Sequence, residues 1–109
     1  MNTTDHRANG SKFTRRKLVR ENVNGETYEY YPLGKYIVAA PGICGGRPTF
    51  KYTRLEVRII LALIAKGETV SQISKAYSKS RIQARAVVEA VLLANRALLD
   101  STLPLRIAA

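Results

Sequence analysis

The side chains best suited to chemistry stand close together: Lys79, Ser80, Arg81, Gln83 and Arg85, with Arg96 further along. Arginine can bridge guanine and glutamine can bridge adenine in the DNA major groove, each through paired hydrogen bonds. Lys79, Ser80 and Arg96 are suited to phosphate oxygens. That is recognition rather than bond making, and catalysis finds little footing. The single histidine, His6, has no cysteine or second histidine near it, as a metal site would need. Carboxylates are few and scattered, and no Ser or Cys stands with a base partner. Cys44, the one thiol, lies beside glycines and is expected to be a small packed side chain. Neither an enzyme nor a cofactor is expected.

Positioning the basic residues falls to residues 69–87, TVSQISKAYSKSRIQARAV, which form the pattern of a helix, a tight polar turn and a second, basic helix. A Ser or Thr followed three residues later by Gln or Glu can satisfy two orphan backbone donors reciprocally, and so marks a helix start. Such pairs occur at Thr53 with Glu56, Thr69 with Gln72 and Ser80 with Gln83. Ile73, Ala76 and Tyr77 share the inner face of the first helix, and Ser78, Lys79 and Ser80 make the turn. Ala84, Val87, Val91 and Ala94 then recur at core spacing, which leaves Arg81, Arg85, Glu89 and Arg96 on the outer side. A helix-turn-helix needs this division, because its second helix packs with one face and offers the other to a groove.

The 109 residues suit one small domain. A net charge of +10, from eighteen Lys or Arg against eight Asp or Glu, implies an anionic partner. One cysteine excludes an internal disulfide, and no apolar run of membrane length and no secretory leader is present, so a cytoplasmic setting without a membrane is expected. Residues 1–16 should form a disordered basic arm. Asn24 and Gly25 both tolerate positive φ and predict a hairpin that pairs Val19 with Tyr30 and Arg20 with Glu29. Tyr28, Tyr30, Tyr31 and Tyr36 could stack on bases, but are expected to cover a small core or a subunit interface. Residues 35–40, KYIVAA, predict a further strand. The Gly and Pro density of PGICGGRPTFKYTR then implies a fixed, irregular backbone. Arg47, Lys51 and Arg54 flank it, yet the spacing of a phosphate-binding loop is missing, so its expected role is structural.

The run from about residue 36 to 97, above all PGICGGRPTFKYTR followed by LEVRIILALIAKGETVSQISKAYS, resembles the domain of unknown function 433 family, whose pattern joins a GGRP…GTR segment to a tri-helical helix-turn-helix. Gly45, Gly46, Arg47, Pro48, Thr49, Thr53 and Arg54 match its motif position by position. Tyr52 stands where the family usually has Gly, and Glu56 where it often has Pro; Glu56 is expected to complete a capping box that Pro could not. The resemblance implies a homeodomain-like DNA-binding fold and, for some members, an antitoxin paired with a PIN-like ribonuclease toxin.

The first helix of the three, over residues 55–66, is apolar on nearly all sides, and Gly67 ends it. The last, over residues 81–99, carries Leu92, Leu93, Leu98 and Leu99, more than one core can absorb, which implies a homodimer. The expected fold is therefore mainly α with a small N-terminal β part: a tri-helical, homeodomain-like unit over residues 41–101, preceded by a β-hairpin and short strands over 17–40 and followed by a tail over 102–109. Two functional readings stand. One is a dimeric regulator or antitoxin that binds double-stranded DNA; the other is an adaptor that neutralises a partner toxin without specific DNA recognition.

Overall fold

The computed structural model describes residues 16–101, so the expected basic arm, but for Arg16, and the tail over 102–109 lie outside the described residues. β1 (Val19–Val23) and β2 (Glu26–Pro32) form the predicted hairpin, with Val19 opposite Tyr30 and Arg20 opposite Glu29. Asn24 and Gly25 take φ of 52° and 84° at its turn. That handedness matches the twist of the flanking strands. β3 (Ile37–Ala39) pairs antiparallel with β2, and β4 (Pro48–Phe50) with β3, which gives a four-stranded sheet in the order β1-β2-β3-β4. α1 (Val57–Ala65), α2 (Val70–Ala76) and α3 (Ala84–Ser101) follow.

The expectation of a mainly α chain with a small β part is thereby corrected: the sheet is a structural layer in its own right, and the helices form the other. The fourth strand comes from Pro48, Thr49 and Phe50, inside the segment expected to be irregular. Pro48 occupies the first strand position, where a missing N–H is tolerated, and Thr49 and Phe50 suit a pleated, buried surface. The irregular backbone is confined to the preceding turn, where Cys44, Gly45 and Gly46 all have positive φ.

Burial on both faces explains the apolar run in β3. Successive strand residues point to opposite sides, so Ile37 joins Phe50, Ile60, Ile73, Ile82, Ala86 and Val87 in the main core under the helices. Val38 joins Tyr30 and Ala40 on the other face, covered by Val19, Tyr28 and Ile43.

Of the three helix-start pairs, only Thr69 with Gln72 forms a capping box, with Thr69 Oγ1 accepting from Gln72 N at 3.1 Å and Gln72 Oε1 from Thr69 N at 2.8 Å. Thr53 Oγ1 instead donates to Phe50 O and accepts from Leu55 N, a local turn that competes with a helix start. Glu56 precedes α1, but its carboxylate is taken by two arginines. Ser80 ends a 3-10 turn, and Arg81 follows it in the left-handed conformation at φ 58°, so α3 begins only at Ala84. Buried Ile82 anchors this turn in the core. Ala76 and Ala84 are exposed rather than inward, and the inner face of α3 is Ala86, Val87 and Ala90.

Candidate nucleic-acid interface

Two chain segments far apart in sequence meet at one groove. Lys51, Tyr52, Thr53 and Arg54, the turn after β4, line one wall with Lys35; Lys79, Ser80, Arg81 and Gln83, the turn between α2 and α3, line the other. Phe50, Ile82 and Ala86 contribute from the core side. Among the described residues, five cations therefore line this groove and no carboxylate does. None of the five is ion-paired among the described residues. Such a surface concentrates positive potential and favours phosphate.

The recognition residues expected from sequence are partly gathered here. Lys79, Ser80, Arg81 and Gln83 lie in the turn rather than on the helix, because the left-handed residue at Arg81 delays the helix start. Gln83 O accepts from Ala86 N and Val87 N, so Gln83 stands at the helix entrance. Arg85 is exposed in the first turn of α3, and exposed Arg96 lies three turns along, roughly 16 Å away at the helical rise, outside the groove.

The motif residues divide into support and surface. Arg47 Nε donates to Glu56 Oε1 at 2.8 Å, and Arg58 Nε donates to the same oxygen at 2.6 Å. Hydrogen bonds from Arg47 and then Arg58 hold the Glu56 carboxyl at about 2, well below its ordinary value. Arg47 is thus spent on joining the β4 segment to the start of α1. Gly45 and Gly46 make the turn before it, Pro48 and Thr49 pair in β4, and Thr53 and Arg54 of the matched motif line the groove. Cys44 is half-buried, and its S–H donates to Arg54 O at 3.3 Å.

Lys51 is held over the aromatic cluster, its Nζ 5.1 Å from the centroids of both Tyr30 and Tyr52. Burial alone would lower its pKa, but the Tyr30 and Tyr52 hydroxyls outweigh that and raise it. Tyr30 and Tyr52 both donate to Glu21 at 2.8 Å, and Tyr28 Oη accepts from Tyr52 N at 2.9 Å. The two bonds to Glu21, from Tyr30 and then Tyr52, lower its pKa. Tyr52 adopts φ 67°, the left-handed conformation glycine takes most readily, at the position where the resemblance expects Gly. Tyr28 and Tyr30 thus help to form a small core, one of the two roles expected of the tyrosines, and Tyr30 and Tyr52 position Lys51.

Sequence reasoning missed Lys35 and Lys51 as groove residues and misplaced Glu89. Glu89 is half-buried rather than fully outward: it accepts the backbone N–H groups of Lys35 at 2.9 Å and Tyr36 at 2.7 Å, which fixes the loop carrying Lys35. No local pattern signals a bond between residues so far apart. Among the described residues, no cluster of three or more His, Cys, Asp or Glu could hold a metal ion, and no helix is long and apolar enough to cross a membrane.

Among the described residues, an antiparallel sheet bearing three helices, with a basic groove where its last turn meets the turn between α2 and α3, defines the class of protein. Residues 37–90 match the family described as "Protein of unknown function (DUF433)", and through this segment the chain belongs to that family. The match runs from the start of β3 into α3 and leaves the β1–β2 hairpin outside. No curated protein and no solved structure matches the chain.

Proposed function

We propose that this protein binds double-stranded DNA through the groove and the start of α3, as a transcriptional regulator or as the DNA-binding antitoxin of a toxin–antitoxin pair. The observation that carries this reading is the pairing pattern of the cations: Arg20, Arg47 and Arg58 are each matched to a glutamate, whereas the five at the groove are not. Arg81, Gln83 and Arg85 read base edges in the major groove. Lys79, Ser80 and Arg96 hold phosphates, and Lys35, Lys51 and Arg54 extend that hold across the opposite wall. The test is binding of the purified chain to a pool of random duplexes at rising salt. Recovery of an enriched motif supports the reading; weak, sequence-blind binding that vanishes with salt rejects it.

A second reading rests on exposed apolar side chains on α3, where Leu92, Leu98 and Leu99 are 58, 63 and 71 % exposed. In it the chain is an adaptor that neutralises a protein partner, with a PIN-like ribonuclease toxin as the candidate, without specific DNA recognition. Capture of such a toxin by a chain whose DNA binding shows no sequence preference would favour it.

A further inference from the structure

α3 is apolar on two opposite sides. At 3.6 residues per turn, Ala86, Val87 and Ala90 face the core, and Val88, Leu92, Asn95 and Leu99 form a stripe on the far side. Val88, Leu92 and Leu99 are 45, 58 and 71 % exposed, and Asn95 is exposed between them. Steps of four, three and four residues are the seam of a two-helix coiled coil. Glu89 and Arg96 line one edge of the stripe, seven residues apart and opposite in charge.

We propose that this stripe pairs with the same stripe of a second copy, the two α3 helices running antiparallel about a dyad between Leu93 and Ala94. In that register Leu92 of each copy meets Asn95 of the other, Val88 meets Leu99, and Glu89 lies opposite Arg96 on both sides of the dyad. Charge selects both the occupant and the direction. A parallel pairing offers Glu89 and Arg96 only Ala84 and Val91 across the seam, whereas the antiparallel one satisfies both charges twice. Glu89 keeps its bonds to Lys35 and Tyr36 and has lone pairs left for the arginine.

One consequence rests on the DNA-binding reading. Because Glu89 ties Lys35 to the charged edge of α3, the two basic grooves open on the same face of the dimer. The helical rise sets the two starts of α3 about 30 Å apart, close to the roughly 34 Å between successive major-groove sites on one face of a duplex.

Light scattering on the full chain without DNA tests the pairing. The expected mass is twice the 12.1 kDa of one chain, and Leu92→Asp, at a position outside the core, should halve it while leaving the circular dichroism unchanged. Orientation is read in a Cys44→Ser background by mixing Val88→Cys with Leu99→Cys chains: oxidation should link the mixture and neither variant alone. A monomeric parent, a dimer that survives both Leu92→Asp and Leu99→Asp, or self-linked Val88→Cys chains would each overturn the proposal. So would a monomer that captures a toxin through Leu92 and Leu99. A dimer that ignores duplex DNA leaves the pairing intact and removes the DNA-binding reading alone.

Discussion

The Glu89 carboxylate and Gly34 compete for one volume: a Cβ on Gly34 would lie 2.6 Å from Glu89 Oε1. The carboxylate stands there because it accepts the N–H groups of Lys35 and Tyr36, and Gly34 is the residue that lets it approach. Replacement of Glu89 by Ala should destabilise the fold by about 1–3 kcal/mol, since it leaves these two backbone donors without their charged acceptor. Gly34→Ala should cost no more than that, because the side chain can swing away once its bonds are lost. In the Glu89→Ala background, Gly34→Ala should be nearly silent. Urea unfolding of both single variants and the double variant gives this cycle, and additive losses would show that the two positions are not coupled.

The Glu56 site predicts an acid response of defined sign. Arg47 and Arg58 hold its folded pKa at about 2, below the ordinary 4.5. A depressed carboxyl pKa contributes stability that is complete above the unfolded value and fades as pH falls through the folded one. The stability advantage of the parent chain over Glu56→Gln should therefore be constant from pH 7 to about 5 and shrink between about 4.5 and 2. Urea midpoints for the two proteins across this range supply the check. A difference that stays constant down to pH 2 would show that the ion triad does not form in solution.

Lys51 and Arg54 should act as phosphate contacts rather than base readers. Each change to Ala should weaken binding to all duplexes by a similar factor and reduce the slope of log affinity against log salt by about 0.9. Arg85→Ala should instead lose preference at one base position, with a discrimination of about 1–3 kcal/mol. Titrations of an enriched duplex and a scrambled one at several salt concentrations separate the two behaviours. A Lys51→Ala variant with altered base preference would place the sheet-side wall in the wrong role.

How much of this was legible in the sequence depended on distance along the chain. The Asn24–Gly25 turn and its register were readable because two residues with tolerated positive φ sit between alternating segments. The Thr69–Gln72 box was readable for the same reason, since its partners are three residues apart. The Thr53–Glu56 pair has identical spacing and failed, because Arg47 and Arg58 compete for the carboxylate. β4 was hidden by the glycines before it, and its pairing to β3 is set by a core that local pattern does not contain. The groove itself joins residues 51–54 to residues 79–83, and only the fold brings them together.

Arg81 offers a prediction in which stability and binding move in opposite directions. Its φ of 58° places an exposed, β-carbon-bearing residue in the left-handed region, where the clash with the neighbouring carbonyl costs about 1–2 kcal/mol. Glycine avoids that clash and gives back part of the gain through its freer unfolded chain. Arg81→Gly should therefore stabilise the fold by about 0.5–1 kcal/mol, with a higher urea midpoint. The same change removes a groove cation that reads a base edge, and so should weaken DNA binding and relax its preference at one base position. A variant that is more stable and binds less cannot owe its lost affinity to misfolding, which makes this single substitution a clean test of the groove. Unchanged DNA affinity in the stabilised protein would mean that Arg81 serves only the turn, and the recognition role would then have to be sought at Gln83 and Arg85.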